Sequence, residues 1–434
     1  MIRIIRVAAL QLRAHDRDDF PSSLETIIAS TREAACNVDL IVLPEATLPA
    51  YVLGAAPIDE KAIARALDRL REIAAATETV IVVGAAHVRD GATRNAAFAI
   101  DVDGSLAGDT DKLFLWHFDR RWFARGERLE PIVTAIGTLG VLICADGRIP
   151  TIARTLVDRG ASALVMPTAW VTSGRNPDAL ENVQADLLAR VRAYENRVPF
   201  VAANKCGSEL GMVAYCGKSQ IVDSSGELVA IASQREPQIL YGTVELGADG
   251  VPRALNPSNP PRVANAIEET LRLGISYEPL PKDIDLRLQL LDDAYALSPH
   301  DLGRLAALER VIPVADVTDV LVCDPAGLVG FRRAGYVLIC WTTELEAPWV
   351  ERLARARALE LRLYIAVFDH SARRAFAVDP DGTIVAGTFD DFRLASFTLD
   401  PRRVAETLVA PDTDLRDGLE RVAAIVEQSQ RAAT

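Results

Sequence analysis

Apolar residues fall along this chain in short continuous runs, separated by segments with helical spacing. Residues 7–12, 40–43, 79–86, 140–144, 163–166 and 200–203 are nearly uninterrupted aliphatic stretches. Runs of this length without alternation predict strands covered on both faces. Residues 20–36 place Leu24, Ile27, Ile28 and Ala35 on one side of a helix, and 61–77, 150–159 and 178–197 also read as helices. Further strands are predicted at 95–101, 219–222 and 240–244. Strands alternating with helices predict an α/β layered fold.

The pattern breaks after residue 250. Pro252, Pro257, Pro260, Pro261, Pro279 and Pro281 cluster there, as in a linker or a surface arm. The expected organisation is a main domain over 1–265, a linker over 266–285 and a smaller α/β region over 286–434. That last region repeats earlier material. Leu353 to Arg362 differs from Leu188 to Arg197 only at Ala356, Leu359 and Leu361. The segment from Val378 through Asp379 and Gly382 to Ala386 repeats that from Val222 through Asp223 and Gly226 to Ala230. A third relative runs from Ala97 through Asp101 to Gly104. Each predicts a strand, a tight turn and a second strand. Matches in the same order indicate an internal repeat. Val320 to Cys323 also echoes Val141 to Cys144.

Composition narrows the function. The 434 residues carry a net charge of -13, and no basic cluster suits a phosphate backbone or an anionic membrane. No apolar run approaches the ~18 residues of a membrane span. Cys36, Cys144, Cys206, Cys216, Cys323 and Cys340 form no C-x-x-C pair and have no zinc spacing, so reduced thiols and a cytoplasmic setting are expected. Lysine occurs only at Lys61, Lys112, Lys205, Lys218 and Lys282, which draws notice to any lysine in an apolar context.

Three polar residues sit where predicted buried strands end: Glu45, Lys112 and Cys144. Strand ends on one edge of a layered sheet are where sites collect. A carboxylate, an ammonium and a thiol meeting there compose a hydrolytic site, with Glu45 as base, Lys112 and the Ala145 N–H as oxyanion donors, and Cys144 as nucleophile. Each also has a structural reading: a helix-start carboxylate, a solvated lysine, a small core thiol. Tyr51, Trp116, His117 and Trp170 are candidate pocket residues, or equally core. No G-x-S-x-G, H-E-x-x-H or G-x-x-x-x-G-K-[ST] motif is present.

These motifs resemble the carbon–nitrogen hydrolase, or nitrilase, superfamily. The likeness rests on residues 7–12, Leu43-Pro44-Glu45, Lys112, the stretch from Cys144 to Pro150, Met166 to Trp170, Arg192 to Arg197, and Gly217 to Gly226. It spans roughly residues 4–250. The resemblance implies a four-layer α-β-β-α sandwich and a triad of Glu45, Lys112 and Cys144, with no metal or organic cofactor. Cys144-Ala145-Asp146-Gly147 is closer to amidases and carbamoylases than to the Cys-Trp-Glu of true nitrilases. The expected reaction is hydrolysis of a small amide, N-carbamoyl compound or hydrazide through a thioester. Nitrilase or acyl-transferase chemistry at the same triad is an alternative, and so is a pseudoenzyme or assembly scaffold. A thiol of lowered pKa at Cys144 would mark the enzyme. Two positions depart from the family pattern. Asp119 stands where a second, orienting glutamate is usual, and Thr151 follows Pro150 where glutamate is usual. The region 286–434 has no counterpart of Glu45 or Lys112 and is expected to be catalytically silent. The expected partners are a small-molecule substrate and further copies of the chain, with no nucleic acid and no membrane.

Overall fold

A computed structural model of the chain describes residues 3–172, 174, 176, 178–247, 284–291, 294–297, 314–317, 319–323, 337–369, 371–388 and 394–432. The expected linker 266–285 lies outside them except for Ile284 and Asp285, which open a strand. Contacts divide the chain into two compact units. One comprises Met1–Arg253 with Ala410–Thr413 and Asp417–Thr434, and the other Ala254–Val409 with Asp414–Arg416. The expected region 286–434 is therefore split, because the end of the chain packs with the first unit.

The first unit has two sheets. One holds β1 (Arg3–Arg13), β2 (Leu40–Val42), β3 (Val80–Arg89), β4 (Ala92–Ile100), β5 (Leu106–Asp111), β10 (Lys205–Glu209), β11 (Val213–Cys216) and β14 (Gln238–Leu246). Its order is β11-β10-β1-β2-β3-β4-β5, with β14 antiparallel to β1. The other runs β13-β12-β9-β8-β7-β6. Those strands are β6 (Ile132–Thr134), β7 (Gly137–Val141), β8 (Ala163–Pro167), β9 (Phe200–Ala203), β12 (Gln220–Val222) and β13 (Leu228–Ile231). The central strands β1–β2–β3 and β7–β8–β9 are parallel. The two sheets pack face to face, β1–β3 against β8 and β9. This double covering explains why Leu40–Val42 and Phe200–Ala203 are buried at every position. Helices α1 (Phe20–Ala34) and α2 (Glu60–Thr77) cover the outside of the first sheet. After the short α3 (Asp119–Trp122), α4 (Pro150–Asp158) and α5 (Ala189–Asn196) cover the outside of the second. The result is the expected α-β-β-α sandwich.

The helix expected over 178–197 begins later. Its regular part is α5, preceded by a wider-wound turn over Gln184–Leu188. Asn182 accounts for the start, because its Oδ1 accepts the Gln184 N–H at 2.9 Å while its own N–H donates to Asp186 at 2.9 Å.

The second unit rebuilds half of this scaffold. Its sheet runs in the order β17 (Val314–Val317), β18 (Leu338–Thr343), β19 (Tyr364–Asp369), β20 (Arg374–Val378), β21 (Ile384–Thr388). The parallel pairs β17–β18–β19 followed by an antiparallel hairpin reproduce β7–β8–β9–β12–β13. A smaller sheet joins β15 (Ile284–Leu291) to β16 (Ala294–Leu297) and, antiparallel, to β22 (Leu394–Leu399), as β1 joins β14. The repeat is carried by shared hydrogen bonds. In three places a helix arginine donates through Nε to the carbonyl of the turn glycine: Arg71 to Gly104 at 2.7 Å, Arg190 to Gly226 at 2.8 Å and Arg355 to Gly382 at 3.0 Å. Each of these helices ends on a left-handed residue, Glu78, Arg197 or Arg362.

Candidate active site

The site lies where strands of both sheets of the first unit end. The chain leaves β2 through Leu43 and Pro44, and the Glu45 N–H then crosses to the Thr168 carbonyl just beyond β8, at 3.2 Å. Strand β3 runs so close beneath that a Cβ at Gly84 would lie 2.5 Å from Glu45 Cα, so only glycine fits there. Glu45 is fully buried. Its Oε1 accepts from Lys112 Nζ and from Asn95 Nδ2, both at 2.7 Å, while its Oε2 is buried with no partner. One carboxylate oxygen is thus held by two donors and the other keeps its lone pairs free.

Lys112 follows β5 and is fixed by its N–H to the Asn95 carbonyl at 2.8 Å. Its ammonium, wholly buried, also meets Asp119 Oδ2 at 2.6 Å. Asp119 therefore reaches the lysine despite its shorter side chain. The one-turn helix α3 carries it inward, and its carboxylate is set by the Trp116 N–H at 2.7 Å and the Tyr51 hydroxyl at 2.7 Å. Burial opposes the Lys112 charge, but the charges of Asp119 and Glu45 outweigh it and hold the pKa well above the usual lysine value. The ammonium stays protonated.

Cys144 stands at the tip of β7, after Leu142 and Ile143, with φ of +47°. A left-handed residue of this kind is strained and persists only where its surroundings enforce it. Here Asp146 does so. Its buried carboxylate accepts from the N–H groups of Ile143 at 3.0 Å, Leu113 at 3.1 Å and Phe114 at 2.7 Å. One side chain thus ties the cysteine turn to the lysine loop. Burial raises the Asp146 pKa to about 7, against the lowering by those N–H donors. Arg192 secures the turn from behind, donating to the Gly147 carbonyl at 3.0 Å and pairing with Glu195 at 2.7 Å.

Burial and then the negative charge of Glu45 push Cys144 up to about 12, and the opposing charge of Lys112 is too small to reverse this. Burial, with a further push from the charge of Asp186, raises Cys216 to about 12 as well, against the lowering by Lys218. What sets Cys144 apart is that the carboxylate and ammonium acting on it, Glu45 and Lys112, are fully buried, whereas Asp186 and Lys218 near Cys216 reach the surface.

The other candidates divide. Tyr51 belongs to the network through Asp119. Ala145 lies buried in the turn after the nucleophile. Trp116 stacks under the Arg148 guanidinium at 4.3 Å. His117, with φ of +37°, packs its ring on Phe118 at 4.0 Å, and its N–H donates to Thr413. Trp170 is fully buried, with its backbone N–H on Asn204 Oδ1 at 2.7 Å. Thr151 has a buried hydroxyl without a partner.

The sequence did not point to Asn95, Asp146 or a second buried ion pair behind the loop after Glu45. In that pair Lys205 Nζ meets Glu209 Oε1 at 2.6 Å and the Ala46 carbonyl at 3.1 Å, while Glu209 Oε2 accepts the Tyr51 and Val52 N–H groups. The scarcity of lysine was the available signal for it. Among the described residues no group of three His, Cys, Asp or Glu side chains is arranged to hold a metal, and no helix is long and apolar enough to cross a membrane.

In the second unit the strand registers fix the counterpart of the nucleophile. Leu164 pairs with Phe200 and Gly140 with Leu164, as Ile339 pairs with Ile365 and Ala315 with Ile339. Counting on from Gly140 and Ala315, Cys144 corresponds to Asp319, and Gly147 to Val322. The arginine contacts agree, since Arg357 donates to the Val322 carbonyl at 2.8 Å and pairs with Glu360 at 2.6 Å, as Arg192 does with Gly147 and Glu195. The echo of Cys144 at Cys323 is therefore out of register. Asp319 accepts from Trp341 Nε1 at 2.9 Å.

The first unit is similar in sequence and fold to known proteins. A sequence profile of the carbon-nitrogen hydrolase family matches residues 6–248. The "Hydrolase in pqqF 5'region" of Pseudomonas protegens is 34% identical over 263 residues, covering 59% of this chain and 88% of that protein. An (R)-stereoselective amidase of Pseudomonas sp. is 28% identical over 247 residues, covering 56% and 86%. The crystal structure of an amidase from Nesterenkonia sp. superposes with a TM-score of 0.50 at 25% identity, covering 57% of this chain and 91% of its own. The family match takes in Glu45, Lys112, Asp119 and Cys144 and stops short of the second unit. This chain belongs to the carbon-nitrogen hydrolase family and is an enzyme acting on amide C–N bonds.

Proposed function

We propose that the chain is a cysteine amidohydrolase that cleaves the non-peptide C–N bond of a small amide, N-carbamoyl compound or hydrazide through a thioester. The observation that carries this reading is the divided Glu45 carboxylate, with Oε1 held by Lys112 and Asn95 and Oε2 buried and free. A free carboxylate oxygen beside a thiol held near pKa 12 is a general base for a nucleophile that is neutral at rest. Attack then couples to proton transfer. The Cys144 S–H proton passes to Glu45 as the S–C bond forms, and the carbonyl oxygen becomes an oxyanion facing the Lys112 ammonium and the Ala145 N–H. Collapse breaks the C–N bond, and the departing nitrogen takes the proton from Glu45. Water then gives a proton to Glu45 as it attacks the thioester. The new oxyanion collapses and breaks the C–S bond, the thiolate takes that proton back from Glu45, and the acid product leaves and gives its own proton to water. Lys112 remains charged throughout: when Glu45 carries the proton, the Asp119 carboxylate and the oxyanion still face the ammonium.

Asp119 in this scheme keeps Lys112 in place and protonated. Among the described residues the second unit shows no counterpart of the segment that supplies Glu45 and Lys112. Residues 14–131 separate β1 from β6, whereas only residues 298–313 separate β16 from β17. With no lysine after Lys282 and Asp319 in the cysteine's place, we read it as catalytically silent. The test is a turnover screen over small amides, N-carbamoyl compounds, hydrazides and nitriles, with acid, amide and ammonia quantified. Acid and ammonia or amine from an amide-type substrate support the reading. Turnover of nitriles alone contradicts it.

A further inference from the structure

The last helix, Leu415–Ala432, contributes Asp417 onward to the catalytic unit. Leu415, Gly418, Leu419, Val422 and Ile425 form its buried stripe. Gly418 lies within the helix, where glycine costs about 1 kcal/mol relative to alanine. The reason is contact: a Cβ there would stand 2.7 Å from the Phe114 ring and 2.9 Å from Ile149 Cδ1. Just ahead, the fully buried Thr413 hydroxyl accepts the His117 N–H at 2.8 Å. Asp417 and Arg421 also lie near enough to Arg125 for their charges to act on it.

These contacts fall on two loops that matter for the chemistry. Phe114 and His117 lie between Lys112 and Asp119, whose side chains meet at 2.6 Å. Ile149 closes the turn that begins at Cys144, and Asp146 already binds that turn to the Phe114 N–H. We propose that Thr413 and Gly418 are positioning residues. Through them the terminal helix clamps residues 113–118 against 144–149 and so sets the distance between Lys112, Asp119 and Cys144. The effect on turnover rests on the amidohydrolase reading above. The packing does not.

The test uses the full chain with Gly418→Leu, Thr413→Val and Thr413→Ser. It measures thermal unfolding, kcat and KM on a small amide, and the pH dependence of Cys144 alkylation by iodoacetamide, followed by peptide mapping. Folded Gly418→Leu and Thr413→Val are expected to lose kcat by about tenfold or more, with KM little changed and the alkylation profile displaced. Thr413→Ser keeps the acceptor oxygen and should match the parent. Wild-type kcat and an unmoved profile in the folded variants overturn the proposal, whatever happens to Tm, and so does equal loss in Thr413→Ser and Thr413→Val. If Gly418→Leu does not fold, the threonine pair decides. If the parent turns over no amide, the amidohydrolase reading fails, and the alkylation profile alone decides the clamp.

Discussion

Cys144 in the first unit and Asp319 in the second occupy the same place in the same scaffold. Each follows a parallel strand, and each turn is held by an arginine that is paired three residues on with a glutamate, Arg192 with Glu195 and Arg357 with Glu360. One turn presents a thiol to a buried carboxylate and ammonium. The other presents a carboxylate to an indole N–H. The turn and its arginine are therefore shared scaffold, and what distinguishes the first unit among the described residues is the buried pair of Glu45 and Lys112, which the block between β1 and β6 supplies.

That contrast is open to breaking by mutation. Cys144→Ala should lower turnover by roughly 10⁴-fold or more, and Glu45→Gln by roughly 10²–10⁴-fold, with unfolding little altered for the cysteine variant. In the second unit Asp319→Ala should leave kcat/KM unchanged, and Asp319→Cys in a Cys144→Ala background should restore nothing. Recovery of turnover there would show that the second turn is a site after all. Lys112→Met should cost about 10²–10³-fold in kcat through lost oxyanion stabilisation.

Smaller effects separate scaffold from chemistry. Removing one partner of a buried ion pair costs about 3–5 kcal/mol. Arg192→Met and Arg357→Met should both lower thermal stability, but only the first should lower kcat in protein that remains folded, because only Gly147 lies in the turn of the proposed nucleophile. The smallest effect is one of pH. Burial raises the Asp146 pKa from 3.8 to about 7, so its folded form favours the protonated acid. The stability it contributes is complete below about pH 4 and is lost as pH rises through about 7. Comparing unfolding free energies of the parent and Asp146→Asn across this window should show a flatter profile for the variant.

The sequence disclosed most where a local pattern was sufficient. Leu40–Val42 and Phe200–Ala203 announce buried strands because both of their faces are covered. Glu45 and Cys144 follow buried strand ends, whereas Lys112 follows β5, an edge strand that is only half-buried, so the expected buried strand before it is not what the fold provides. Asp119 was legible as a candidate but not as a partner of Lys112, since its reach depends on the one-turn helix that carries it. Lys205 and Glu209 were missed because their partners, the Ala46 carbonyl and the Tyr51 and Val52 N–H groups, arrive from a loop more than 150 residues away. The Cys323 echo misled because identity of a few apolar residues does not fix register, whereas strand pairing does. The return of residues 417–434 to the first unit was invisible for a similar reason. Its signal is one glycine opposite Phe114.

The central claim is that Cys144, with Glu45 beside it, carries the reaction through a thioester. The most direct test is acid quench of the full-length enzyme during turnover of a small amide, followed by mass spectrometry of the cysteine peptides. An acyl group is expected on Cys144, absent from the Cys323 peptide and absent in Cys144→Ala, whose turnover is lost. Undiminished turnover in Cys144→Ala would contradict the claim.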